Sequence, residues 1–212
     1  MTIIAIVQAR MNSSRLYGKV MREVAGKPLI GYLLERLACA RELDGVIVAM
    51  PKNDAGSTLA DYVNSLGVAF YAGQEENDVA ARFLAVLDEI QPDAFVRVCA
   101  DSPLIDPRLV DELVRDFRAV ENAGFMSNVG NSLLPPGQHA EIVKTEFYRK
   151  SAVNFTAAQR EHAGFPWFYS RVQSLAVDTE ADFQRISRVI EQMTAHHTQY
   201  DVIECMKLCR LQ

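Results

Sequence analysis

The sequence predicts an α/β protein in which helices cover a mostly parallel sheet. Short apolar runs rich in β-branched residues alternate along the chain with longer amphipathic stretches, and this alternation is typical of that architecture. The 212 residues, 49% of them hydrophobic, are enough chain to bury a core, and no Gly/Ser-rich or charged linker divides them. We therefore expect one domain over residues 1–212.

Periodicity assigns the individual elements in chain order. The apolar runs predict strands at 3–7, 46–50, 68–71, 95–99, 125–128, 140–144 and 173–177. The amphipathic stretches predict helices at 28–43, 57–66, 78–90, 107–121, 145–155, 180–193 and 200–209.

Two of these helices carry marked N-terminal ends. Asp106 precedes Pro107 at the first helical position, which favours Asp106 as the cap. Thr179 and Asp182 have the spacing of a capping box. Asp178 lies one residue earlier, and the sequence leaves capping and metal binding equally open for it.

The overall charge disfavours one class of partner. The chain has 22 Lys and Arg against 27 Asp and Glu, a net charge of −5. A protein that binds nucleic acid through bulk charge needs a clustered basic surface, so we expect no nucleic-acid partner. Any site for an anion must then be local.

The apolar segments and the cysteines indicate an ordinary cytoplasmic protein. No segment approaches the roughly 18 apolar residues of a membrane span, and the apolar run at 3–7 lacks the basic flank of a signal peptide. The four cysteines form no CxxC pair. Cys205 and Cys209 are spaced i, i+4 near His196 and His197, but buried, reduced thiols are favoured over a metal site.

A loop with three cations follows the first predicted strand. It contains Arg10, Arg15 and Lys19 among small polar residues such as Ser14. In an open α/β sheet the carboxyl ends of the strands border the ligand crevice, and Arg, Lys, hydroxyl and backbone N–H groups are phosphate ligands. The loop lacks the spacing of a Walker P-loop and of a GxGxxG dinucleotide motif. These features predict a polyphosphate site of another kind.

Carboxylates are predicted at the same edge of the sheet. Asp101 follows the strand at 95–99, and Asp178 follows the one predicted at 173–177. Carboxylates and phosphates repel unless a cation lies between them, and Mg²⁺ prefers such oxygen ligands. We therefore expect Asp101 to bind Mg²⁺, and Asp178 to share that ion if it is not a helix cap.

In these residues the chain resembles the cytidylyltransferases that activate acidic sugars, in particular the branch called spore coat polysaccharide biosynthesis protein F. The resemblance covers nearly the whole chain. Its most specific motif runs from Gln8 to Val20. Weaker motifs follow in the expected order at 25–29, 100–106, 160–162 and 177–183.

The resemblance implies a Rossmann-like nucleotide-diphospho-sugar transferase fold with a mixed sheet, frequently a homodimer. It also implies CTP and an acidic sugar as substrates, Mg²⁺ as cofactor, and a CMP-linked sugar as product. Arg10, Arg15 and Lys19 look like the triphosphate contacts, and Asp101 and Asp178 look like the metal ligands. The segment with Asp78 and Arg82 is similar to the nucleobase and ribose region, and Gln138, His139 and Glu141 lie where relatives contact the sugar.

The irregular stretches 130–137 and 160–166 are further candidates for binding the sugar. Arg160 suits a sugar carboxylate, with an ordinary exposed charge as the equal alternative. For His139 and His162, hydrogen bonding to substrate or fixing a loop is favoured over proton transfer.

Two departures from the family keep other functions open. Tyr17 stands where the family usually has proline, and Ala100 where it usually has glycine. The alternatives are a sugar nucleotidyltransferase that uses another nucleoside triphosphate, and a nucleotide-binding homologue with weakened catalysis. A glycosyltransferase is disfavoured because Asp101 and Asp106 do not form an Asp-x-Asp motif.

Overall fold

The protein is built around a six-stranded sheet with helices on both faces. The computed structural model describes residues 1–129, 133–163, 174–193 and 196–210. Its strands are β1 (Ile3–Gln8), β2 (Glu23–Val24), β3 (Lys27–Pro28), β4 (Gly45–Met50), β5 (Ala69–Ala72), β6 (Ala94–Cys99), β7 (Phe125–Ser127) and β8 (Glu141–Lys144). Its helices are α1 (Leu29–Leu37), α2 (Thr58–Ser65), α3 (Val79–Ile90), α4 (Pro107–Ala119), α5 (Thr145–Ala152), α6 (Ala157–Glu161), α7 (Glu180–Gln192) and α8 (Val202–Arg210).

The strand order of the main sheet is β5-β4-β1-β6-β8-β7. Strands β5, β4, β1 and β6 are parallel, whereas β8 is antiparallel to both β6 and β7. The predicted fold class, a mixed and mostly parallel sheet flanked by helices, is therefore confirmed. The short strands β2 and β3 pair with each other in a separate hairpin, which the periodicity did not predict.

Alternate residues of β1 face opposite sides of the sheet. Ile3, Ala5 and Val7 pack in one apolar cluster with residues of α1, α2 and α4. Ile4 and Ile6 pack in a second cluster with residues of α3 and α5. All five β1 side chains are buried, as a central parallel strand covered on both faces requires.

A third apolar cluster attaches the C-terminal helices α7 and α8 to α1 and β2. Cys205 and Cys209 lie in it as buried, free thiols, which confirms the prediction made for them.

The predicted strand at 173–177 was wrong for residues 174–177, which belong to no strand, while Gln173 lies outside the described residues. Instead, the N–H groups of Leu175 and Val177 donate to the carbonyls of Pro136 and Asp101, at 2.7 and 2.8 Å.

Arg36 ties the end of α1 to the C-terminal region. Its guanidinium has no exposed surface and donates to the carbonyls of Ile105 (2.7 Å), Tyr200 (2.6 Å) and His197. Arg36→Met removes all of these hydrogen bonds and leaves the three carbonyl groups without them. We expect the free energy of unfolding to fall by about 3 kcal/mol or more, measured by urea denaturation followed by circular dichroism.

The control for this variant is Arg188→Met on the exposed side of α7, which should leave unfolding nearly unchanged. A loss for Arg36→Met no larger than that of the control would show that the buried guanidinium is not an anchor.

None of the described helices is long and apolar enough to cross a membrane.

Candidate functional site

A cleft opens at the carboxyl ends of β1 and β6, where the strand order reverses. From β1 the chain proceeds through β4 and β5 on one side, whereas β6 lies on the other, so β1 and β6 border the switch point of the sheet. Ligands bind at this place in open α/β sheets. The cleft encloses about 820 Å³, including solvent at its mouth. The residues that line it include Gln8, Arg10, Ser13, Ser14, Arg15, Lys19, Arg82, Cys99, Ala100, Asp101, Glu161 and His162.

Lys19 lies at the centre of the charged groups in this cleft. Its Nζ donates to Asp101 Oδ2 at 3.1 Å, to Asp178 Oδ1 at 2.9 Å and to the carbonyl of Val177 at 2.8 Å. Burial alone lowers the pKa of Lys19, but the charges and hydrogen bonds of the two carboxylates outweigh burial and raise that pKa above its usual value. The ammonium group is therefore charged at neutral pH.

Asp178 reaches the cleft although no strand precedes it. The backbone hydrogen bond from Val177 to the carbonyl of Asp101 places the two aspartates side by side. Arg15 Nη2 also donates to Asp178 Oδ1, at 2.7 Å. The cap of α7 is Thr179, in a capping box with Asp182, as predicted for that pair. The structure thus decides against Asp178 as the helix cap, and its carboxylate faces the cations of the loop.

Asp106, in contrast, is a helix cap as predicted. Its carboxylate accepts from the backbone N–H of Arg108 at 3.0 Å and from that of Val202 at 2.9 Å. It is 2% exposed and is not among the residues that line the cleft.

Arg10 has an acidic partner of its own, Glu76, which differs from the aspartates that pair with Arg15 and Lys19. Arg10 Nη1 donates to Glu76 Oε1 at 3.1 Å, and Asn12 donates to the other oxygen of Glu76 at 3.0 Å. Each of the three loop cations is therefore paired with a carboxylate. Sequence reasoning missed Glu76 as the partner of Arg10, because the pair is separated by 66 residues and forms only in the tertiary structure.

Arg82 fixes the wall of the cleft beside Arg10. It is 2% exposed and donates through Nη1 and Nη2 to the carbonyls of Glu75 and Glu76. Its buried Nε has no hydrogen-bond partner, and burial lowers the pKa of its guanidinium. Arg82 lines the cleft and orders the segment that carries Glu76, and its contact with the nucleotide stays a prediction.

Asp78 and Arg160 form an ion pair at the rim. Arg160 donates to Asp78 Oδ2 through Nε at 3.1 Å and Nη2 at 2.8 Å, while Asp78 Oδ1 caps α3 through the N–H of Ala81. The guanidinium thus has Asp78 as its partner, a pairing that the alternative of an ordinary exposed charge beside Glu161 did not include, and its contact with the sugar stays a prediction. The pair holds α6 against α3, so that Glu161 and His162 face the cleft.

The residues after the Pro-Pro-Gly loop do not line the cleft. Gln138 has no exposed surface, and its amide bonds the backbone of Asp106 (2.8 Å) and Leu104 (2.7 Å). Glu141 accepts from buried Arg97 at 2.6 Å, and Arg97 also donates to Gln8. These side chains are structural here, which differs from the predicted contacts with the sugar.

His139 is half-buried, and burial lowers the pKa of its imidazole. Its buried Nε2 has no hydrogen-bond partner. Of the stretches predicted to bind the sugar, residues 130–132 and 164–166 lie outside the described residues.

The two aspartates of the cleft suit a hard divalent cation. Asp101 and Asp178 both contact the single Nζ of Lys19, so two carboxylate oxygens lie within reach of one cation. Within the described ranges, no group of three or more His, Cys, Asp or Glu residues is arranged to hold a metal by itself. Mg²⁺ is commonly bound by one or two carboxylates together with substrate phosphates and water, and these residues fit that mode.

Comparison with known proteins gives the family. A family model described as "Cytidylyltransferase" matches residues 4–206. An uncharacterised protein of Methanocaldococcus jannaschii is 33% identical over 80% of this chain and 68% of its own length. The spore coat polysaccharide biosynthesis protein SpsF of Bacillus subtilis is 30% identical over 53% of this chain, and 3-deoxy-manno-octulosonate cytidylyltransferase of Geobacter sulfurreducens is 33% identical over 54%. These last two alignments span about half of the relatives' own lengths, 48% and 44%.

Solved structures agree on the fold. A cytidylyltransferase of Leptospira borgpetersenii superposes with a TM-score of 0.87 at 22% identity, covering 100% of this chain and 94% of that one. A CMP:2-keto-3-deoxy-manno-octonic acid synthetase, solved in complex with CTP, has a TM-score of 0.71 at 18% identity, with 91% of this chain and 99% of that chain covered.

Proposed function

This chain belongs to the cytidylyltransferase family, and from that premise we propose that it transfers CMP from CTP to an acidic sugar and releases pyrophosphate. The observation that carries the proposal is the charge arrangement at the switch point, where Arg10, Arg15, Lys19 and Asp101 line one cleft and Asp178 pairs with two of these cations, Arg15 and Lys19. Clustered cations neutralise a polyphosphate, and paired carboxylates hold the cation that accompanies it.

The reaction we propose is an in-line displacement at phosphorus. A hydroxyl oxygen of the sugar forms a bond to the α-phosphorus of CTP and releases its proton to solvent, the bond from that phosphorus to the bridging oxygen breaks, and pyrophosphate leaves with the electron pair. Such transfers depend on positioning and charge neutralisation more than on covalent catalysis. Lys19 and Arg15 bind the β- and γ-phosphates in this proposal, and Arg10 stabilises charge near the α-phosphate.

The loop cations must change partners when the nucleotide binds. Arg10, Arg15 and Lys19 each contact a carboxylate in the structure, so phosphate oxygens replace Glu76 and the aspartates as their partners. Asp101 and Asp178 are then the residues that hold Mg²⁺. When bound there, Mg²⁺ neutralises phosphate charge and lowers the pKa of a hydroxyl that it binds.

The choice of an acidic sugar draws support from the names of relatives. The Geobacter relative is named for 3-deoxy-manno-octulosonate, and the Bacillus relative for spore coat polysaccharide synthesis. Glu161 and His162, at the C-terminal end of α6, also line the cleft. His162 suits a hydrogen bond to a sugar hydroxyl or carboxylate. The frequent homodimer of the family stays a prediction for this chain, which sedimentation velocity tests.

Isothermal titration with CTP, ATP, GTP and UTP, each with and without Mg²⁺, tests the nucleotide. Selective binding of CTP that tightens with Mg²⁺ is the expected result. Preference for another triphosphate would favour the alternative nucleotidyltransferase, and a failure to bind any of the four would reject the proposal.

A second assay tests the acceptor. Pyrophosphate release from CTP is measured over a panel of eight-carbon and nine-carbon keto-acid sugars, with neutral hexoses as controls. We expect release with at least one acidic sugar and none with the hexoses. Binding of CTP without release across the whole panel would favour a catalytically weakened homologue.

A further inference from the structure

The basic loop is attached at its base to a buried carboxylate that the proposed reaction does not use. Asp54 lies in a short 3₁₀ helix, Lys52–Asp54, shortly after β4, and is 7% exposed. Its Oδ2 accepts a hydrogen bond from the backbone N–H of Met11 at 2.9 Å. Asp54 is not among the residues that line the cleft.

Met11 is the point at which the loop turns back on itself. Its carbonyl accepts from the N–H of Ser13 at 3.0 Å and from the N–H of Gly18 at 2.8 Å. Gly18, in the left-handed region at φ 63°, then leads into the short 3₁₀ helix Lys19–Met21. The peptide groups on both sides of Met11 therefore fix the shape of the turn, and with it the positions of Arg15 and Lys19.

Asp54 is itself rigidly held. Its N–H donates to the carbonyl of Pro51 at 2.9 Å, and its own carbonyl accepts from the N–H and the hydroxyl of Ser57 at 3.0 and 2.7 Å. The neighbouring strand β4 is also tied to the start of the loop, because Ala9 donates to the carbonyl of Ala49 at 3.1 Å. The Asp54 carboxylate therefore holds the middle of the loop in a fixed position relative to the sheet.

Charge strengthens this attachment. A hydrogen bond from a backbone N–H to an ionised carboxylate is about twice as strong as one between neutral groups. A buried N–H that loses such a partner must find another or remain unsatisfied. When the carboxylate is removed, the Met11 peptide is no longer held in this position. The turn that the Met11 carbonyl closes with Ser13 and Gly18 then loosens.

We propose that Asp54 is a positioning residue for the nucleotide: through Met11 it holds the loop in the conformation that presents Arg10, Arg15 and Lys19 to the triphosphate. The inference rests on the proposed function for the identity of the ligand. It assigns Asp54 no contact with substrate, so its effect reaches the ligand only through the conformation of the loop.

The test compares Asp54→Ala with Asp54→Asn and with a matched control. Asp111→Ala removes a carboxylate that is also 7% exposed and also accepts from backbone N–H groups, those of Arg41 and Glu42, but lies away from the cleft. All variants and the parent protein are compared by hydrogen exchange of residues 9–21 without nucleotide, by titration with CTP and Mg²⁺, and by thermal unfolding.

We expect the amides of Ser13 and Gly18 to exchange about tenfold faster in Asp54→Ala, and CTP to bind about tenfold more weakly, as the loss of one charge-assisted hydrogen bond predicts. Asp54→Asn keeps a side-chain oxygen for Met11 and should restore much of both. Asp111→Ala should reduce thermal stability alone.

Unchanged exchange at Ser13 and Gly18, or equal loss of CTP affinity in Asp54→Ala and Asp111→Ala, would overturn the positioning role. Failure of the proposed function gives a different result, because the parent protein then binds no CTP. The exchange data still report in that case whether Asp54 holds the loop.

Discussion

Lys19→Met is expected to reduce the rate of pyrophosphate release from CTP by about 100-fold or more. Lys19 is the cation that joins both aspartates of the cleft, and its side chain is only 12% exposed. Removing one preorganised donor that stabilises developing charge commonly costs a factor of about 10² to 10³ in rate. Steady-state assays with CTP and the sugar acid found in the acceptor panel measure this loss.

The matched control is Lys27→Met. Lys27 also pairs with a carboxylate, that of Glu35 on α1, but it does not line the cleft. Turnover by this control should stay close to that of the parent protein, because the part-buried pair of Lys27 and Glu35 lies outside the cleft. Equal rates for Lys19→Met and Lys27→Met would mean that Lys19 has no catalytic part.

Lys19→Met should also unfold at a lower temperature at neutral pH. The pKa of Lys19 is raised in the folded protein, so its pairing with the carboxylates stabilises the fold fully below the usual lysine pKa and ceases to do so as the pH rises through the higher folded-state pKa. The difference in melting temperature between parent and variant should therefore persist through neutral pH and shrink only in strong alkali.

Asp101→Asn is the second substitution with a large expected effect. It should abolish detectable pyrophosphate release while the circular dichroism spectrum stays that of the parent protein. The amide keeps the size of the side chain but not its charge, so the site loses half of its acidic pair beside Lys19. In the proposed site Asp101 holds the metal, so we expect the variant to bind Mn²⁺ more weakly in the presence of CTP, which electron paramagnetic resonance measures directly.

Asp88→Asn serves as the control for Asp101→Asn. Asp88 lies on α3, is exposed and pairs with Arg149. The control should retain both turnover and Mn²⁺ binding. Turnover retained by Asp101→Asn would remove Asp101 from the reaction, whatever its effect on the metal.

The central strands and most helices follow the hydrophobic pattern of the sequence because burial on both faces of a sheet imposes it directly. The failures are segments whose structure depends on distant partners. Leu175 and Val177 are buried and alternate like strand residues, yet their N–H groups bond the isolated carbonyls of Pro136 and Asp101. Helix α6 has no buried residues, so no apolar periodicity indicated it.

The candidate site likewise contains residues that could be placed from the sequence and residues that could not. Arg10, Lys19 and Asp101 could be placed together from sequence because each follows a strand that borders the switch point. The partner of Arg160 could not, since a guanidinium accepts any carboxylate within reach and only the packing of α6 on α3 selects Asp78. The prediction that Gln138 contacts the sugar differs from the structure for a related reason. A polar side chain beside a loop can hydrogen-bond the backbone of that loop instead of a substrate.

The hydrogen bond from Val177 to Asp101 has a consequence for the order in which the protein acquires its activity. The basic loop and Asp101 belong to the first half of the chain, whereas Asp178 arrives with the segment that α7 and α8 fasten to α1. A chain emerging from the ribosome therefore carries Arg10, Arg15 and Lys19 long before it has the second carboxylate. For the proposed reaction, competence begins only when the C-terminal region docks, so we expect truncation there to abolish pyrophosphate release even where the sheet survives.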